Sequence, residues 1–84
     1  MPTEYLNILH IINSKPDGLT LFDILYQYQE QKHKPANNAT TMNRKIFSMT
    51  QSKNIRFVEG KEKKYTITEK GKQTLTKETQ WKLL

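Results

Sequence analysis

Asn37, Thr40, Thr41, Asn43, Arg44, Lys45 and Ser48 gather short amides, hydroxyls and two cations within one short stretch of the chain. Groups of these types are suited to hydrogen bonds with phosphate oxygens and with the edges of bases. Arg44 is the strongest of them, since one guanidinium either bonds bidentately to a guanine or clamps a phosphate. A solvated surface arginine is the plainer alternative. Each of the short polar residues serves equally well as a helix cap or as plain surface, and Lys45 has a stem that can cover core while its ammonium reaches a phosphate. A second cationic set follows in Arg56, Lys61, Lys63 and Lys64, suited to sequence-neutral, salt-dependent contact with sugar-phosphate or the minor groove. Lysines at a hairpin tip also serve simply to keep it soluble and to block edge pairing. Catalytic chemistry has no comparable support. His10 and His33 lack a second ligand at metal spacing, Ser14 and Ser52 lie in no nucleophile motif, and no glycine-rich phosphate loop occurs. No enzyme activity, cofactor or metal is expected.

Those residues need elements to hold them. Tyr5, Leu6, Leu9 and Ile12 recur at helical spacing and predict a first helix over about 3–13, with Glu4 at its positive end. The string N-S-K-P-D-G stops it, and Leu19 is placed for a very short strand. Thr20 with Asp23 three residues later is an N-cap signature, opening a second helix over about 20–32 with Phe22, Leu25 and either Tyr26 or Tyr28 facing inward. Asn37 or Asn38 then caps a third helix over about 37–52. On it Ala39, Met42, Ile46 and Met49 form one stripe, and Asn37, Thr41, Arg44 and Ser48 lie opposite. Phe47 falls off the stripe and reads as a satellite core residue against the following hairpin, or as an exposed stacking group. From Ile55 the period becomes two, which predicts a hairpin over about 54–68 with K-E-K-K at its tip. Thr68 and Glu69 open a last helix over about 69–83.

Composition narrows the class. A chain of 84 residues reads as one domain, and at this size folding buries only about 60–65 % of the unfolded surface. Fourteen Lys and Arg against eight Asp and Glu leave a charge of +6, which favours a polyanion. No apolar run approaches a membrane span and no secretory leader is recognisable, so a cytoplasmic, nucleoid-associated protein is expected. The absence of cysteine adds little about location. The frequency of Lys, Asn, Ile and Thr fits an AT-rich coding sequence, as in a low-GC bacterium, a plasmid or a phage.

The order of helix, lysine-tipped hairpin and freshly capped helix is that of a winged helix-turn-helix, an α+β fold of three helices, a two- or three-stranded wing and a C-terminal helix. T-M-N-R-K-I-F-S-M-T-Q-S-K-N-I resembles the recognition helix of small bacterial regulators of the multiple-antibiotic-resistance and phenolic-acid-regulator type. Tyr65, Ile67, Thr68, Gly71 and Leu75 are similar to the Y-x-L-T-x-x-G-x-x-x-L with which those proteins close the wing. Lys53 or Asn54 stands where their recognition helix usually ends in glycine, and asparagine tolerates the left-handed conformation required there. Asn43, Arg44 and Phe47 also resemble the triplet of Z-DNA-binding winged domains, although the Pro-Pro-x-Trp segment of their wing is missing.

The resemblance implies duplex DNA as partner and a role in transcription regulation, as a repressor for instance, or in plasmid or phage replication or partition. The alternatives are a protein-interaction adaptor and a sequence-neutral binder of single-stranded or Z-form nucleic acid. Tyr5, Leu6, Trp81 and Leu84 are candidate contacts of a homodimer through the terminal helices, which would match a palindromic site. Trp81 covering the first helix within a monomer is the competing reading.

Overall fold

The computed structural model describes residues 3–30 and 39–83, with side chains through residue 78. Helices α1 (Thr3–Asn13), α2 (Leu21–Glu30) and α3 (Ala39–Gln51) are followed by strands β1 (Ile55–Val58) and β2 (Lys64–Ile67) and by helix α4 (Glu69–Leu83). Of the expected sites, Asn37 and Leu84 lie outside the described residues, as does His33.

Helix α1 is the centre of the core. Leu6, Ile8, Leu9, Ile11 and Ile12 are all buried, a wider apolar arc than the expected stripe, because α2, α4 and the hairpin pack around it. Its end is set by the turn Lys15–Gly18, closed by the Gly18 N–H donating to the Lys15 carbonyl at 2.9 Å. Gly18 has φ +99°, and a Cβ there would press on Lys64 and Thr66 at 3.1 Å, so conformation and space both call for glycine. Leu19 then bridges Tyr65 through reciprocal backbone bonds of 3.0 and 2.8 Å, the short strand expected at this position.

Helix α2 opens with the expected cap. The Asp23 N–H donates to the Thr20 hydroxyl at 3.1 Å and the Thr20 N–H to the Asp23 carboxylate at 3.3 Å. This start corrects the expected core face. Ile24 and Tyr28, one turn apart, are buried with Leu21 and Leu25 packed beside them, so Phe22 is carried to the far side and is 74 % exposed. Tyr26, one turn beyond Phe22, shares that exposed side.

Helix α3 buries Met42, Ile46 and Met49 as expected, while Ala39, its first residue, is exposed because the stripe has not yet met the core. The helix ends in a Schellman motif: the Lys53 N–H donates to the Thr50 carbonyl at 3.1 Å and the Asn54 N–H to the Met49 carbonyl at 3.0 Å. Lys53, at φ 65°, takes the left-handed position, not Asn54. Asn54 is instead buried, donating to the Ser52 hydroxyl at 2.7 Å and accepting from the Thr74 hydroxyl at 3.0 Å. Its side chain fixes the end of α3 against α4, a role that lysine could not fill.

Strands β1 and β2 are antiparallel, pairing Ile55 with Ile67, Arg56 with Thr66, Phe57 with Tyr65 and Val58 with Lys64. Alternation puts Ile55, Phe57, Tyr65 and Ile67 on one face and Arg56, Val58, Lys64 and Thr66 on the other.

Candidate nucleic-acid interface

The segment following the hairpin is locked to its base by one hydroxyl. Thr68 Oγ1 caps α4 by accepting from the Gly71 N–H at 3.1 Å, and lies 2.6 Å from the Lys53 carbonyl and 3.0 Å from the Asn54 carbonyl as their donor. Gly71 makes this junction sterically possible, because a Cβ there would sit 2.2 Å from the Asn54 carbonyl oxygen. Lys70 completes it by donating to the Ser52 carbonyl at 2.6 Å, at the negative end of α3. Helix α3 and the hairpin are thereby held in one fixed relation.

Between them runs an open groove of about 410 Å³, lined by Asn43, Arg44, Phe47 and Thr50 of α3 and by Phe57 and Tyr65 of the hairpin. Phe57 and Tyr65, directly opposed across the strands, meet edge to face with ring centroids 5.5 Å apart. Phe47 is 63 % exposed, which overturns its expected place in a satellite core. The rotation of α3 that buries Met42 and Ile46 sets Phe47 on the flank, where the hairpin's aromatic pair leaves the groove open beside it. This groove is what reasoning from the sequence missed; its signal was Phe47 off the stripe together with the paired aromatics of two adjacent strands.

Arg44 belongs both to the groove and to the outer face of α3, where Thr40, Asn43 and Ser48 are also exposed and Thr41 is half-buried. It has no carboxylate partner among the described residues, and α3 itself contains no acidic residue. Lys45 differs. It lies about 160° around the helix from Phe47 at 100° per residue, and its ammonium is 2.7 Å from the Glu4 carboxylate of α1. That ion pair makes it a fastener of α3 to α1, so the expected phosphate contact would first have to break it.

The hairpin cations also divide. Lys61 and Lys63 are exposed at the tip, while Lys64 lies 3.8 Å from the Glu62 carboxylate. Arg56 is exposed but sits on the sheet face opposite Phe57 and Tyr65, so the structure does not bring it into the groove with Arg44. At the terminal helices, Leu6 is buried in the chain's own core, which removes it from any dimer surface, and Tyr5 is half-buried against the same core. Residue 81 is helical, and its side chain is outside those described.

Among the described residues no cluster of His, Cys, Asp or Glu could hold a metal ion, and no helix is long and apolar enough to cross a membrane. What the elements define is a small α+β chain of four helices and a two-stranded antiparallel hairpin, in an order compatible with winged-helix topology. Compared with protein families, characterised proteins and solved structures, the chain matches none of them.

Proposed function

We propose that this chain is a winged helix-turn-helix protein that binds duplex DNA, with α3 as the recognition helix and the hairpin as the wing. It would act as a transcriptional regulator or as a replication or partition accessory, controlling access to DNA without chemistry of its own. The observation that carries the reading is the asymmetry of α3. One face is locked into the core by Met42, Ile46 and Met49, and the other offers Thr40, Asn43, Arg44 and Ser48 to solvent with no acidic residue on the helix. Exposed Lys61 and Lys63 on the adjoining tip, and a net charge of +6, supply the attraction for a phosphate backbone.

A salt titration of binding to labelled duplex tests it. Several neutralised phosphates should each contribute about 0.9 to a negative log–log slope, and a slope near zero would refute the proposal. Arg44→Ala should weaken binding to a preferred site, selected from genomic fragments, by about 1–3 kcal/mol more than binding to random duplex if Arg44 reads a base. Equal losses would make it a phosphate contact. A protein-interaction adaptor is the second reading, and the exposure of Phe47, Phe22 and Tyr26 is the observation in its favour.

A further inference from the structure

We infer that the groove between α3 and the hairpin receives an unstacked nucleobase, so that DNA with an unpaired or extruded base is preferred to a fully paired duplex; this rests on the DNA-binding reading above. A phenylalanine on a helix that reads paired DNA can touch a thymine methyl, but Phe47 instead shares its groove with two further aromatic rings. Exposing most of Phe47 forgoes much of the hydrophobic stabilisation that its burial would contribute. Phe47 is nevertheless 63 % exposed, in a groove whose other wall is the Phe57–Tyr65 pair.

The polar members of the groove match a nucleotide better than a peptide. Asn43, one helical turn before Phe47, offers an amide with both a donor and an acceptor for a base edge. Arg44, which has no carboxylate partner among the described residues, lines the same groove. A ring stacked on an aromatic with its own phosphate held by a neighbouring cation is how single-stranded nucleic acid is gripped without regard to sequence. The net charge of +6 favours a polyanionic occupant over a neutral apolar peptide. Thr50, the remaining lining residue of α3, has its hydroxyl already donating to the Ile46 carbonyl at 2.8 Å. The groove therefore combines three aromatic rings with an amide and a guanidinium, which is the chemistry that receives a base and its phosphate.

The test compares three labelled DNAs by fluorescence anisotropy: a fully paired duplex, the same duplex with one bulged adenine, and the same bulge with an abasic residue. The last keeps the bend and flexibility of the bulge but removes the ring. The adenine bulge should bind about tenfold tighter than the abasic one, in line with a single aromatic stacking contact. Phe47→Ala, an exposed position whose folding is checked by circular dichroism, should bring that ratio close to one. Equal affinity for the adenine and abasic bulges, with the paired duplex still bound, would overturn the base site and leave the duplex reading standing. Binding to none of the three would overturn both and move the groove to a protein partner.

Discussion

The base and the tip of the hairpin are built on opposite plans. At the base, the left-handed Lys53, the buried Asn54 and the hydroxyl of Thr68 knit α3, β1 and α4 together through backbone carbonyls, where small shifts break several bonds at once. At the tip, residues 59–63 are all exposed, and the ion pair there is the 3.8 Å approach of Lys64 to Glu62, of a kind that contributes little in water. The difference teaches how a chain of this size divides its labour. Rigidity is concentrated where it sets the angle between α3 and the hairpin, and charge is placed where it can move without loss of stability.

Adding one methyl group at the base should break this contrast most severely. In Gly71→Ala the new Cβ would lie 2.2 Å from the Asn54 carbonyl oxygen and 2.7 Å from Ile67, atoms held by backbone and core. A loss of about 3 kcal/mol, at the top of the usual range for overpacking, is expected in urea unfolding. A loss below about 1 kcal/mol would show that the junction yields and does not fix α3 against the hairpin. Thr68→Ala is the milder cut. It removes the α4 cap and the hydroxyl's bonds to the carbonyls of Lys53 and Asn54, yet the Thr68 N–H still reaches the Asn54 carbonyl at 3.1 Å. About 1–2 kcal/mol should be lost, read as a lower urea midpoint with an unchanged slope.

This division of labour was only partly legible in the sequence. Element order followed from local signals: the Thr20 and Thr68 caps, the Pro16–Gly18 turn and the change of period at Ile55 each act within a few residues. Which flank of a helix meets which neighbour did not, because that depends on how elements pack. Phe22 reads from the sequence as an inward residue with Leu25, but Ile24 and Tyr28 fill the core side of α2. Lys45 reads from the sequence as a flank residue whose stem covers core and whose ammonium reaches a phosphate, but a carboxylate forty-one positions earlier in the chain claims that ammonium. The groove is the strongest case. Asn43, Arg44 and Phe47 were legible as a cluster, whereas their facing the Phe57–Tyr65 pair is a property of the junction and of no local pattern.

The tip sharpens the comparison from the other side, through an effect on stability expected to be nearly nil. Lys61 and Lys63 are exposed and have no ion pair among the described residues, so replacing both with alanine removes no packing and no bond seen in the fold. The double variant Lys61→Ala/Lys63→Ala should unfold within about 0.5 kcal/mol of the parent. Its DNA binding should behave differently. If both ammonium groups neutralise phosphates, the magnitude of the log–log salt slope should fall by about 1.8, at about 0.9 per phosphate, and affinity should fall alike on preferred and random duplex. A loss confined to the preferred sequence would mean that the tip reads bases. An unchanged slope would mean that the lysines only keep the hairpin edge from pairing. A large loss of stability would contradict the plan itself, because it would place at the tip the structural work assigned to Thr68, Gly71 and Asn54.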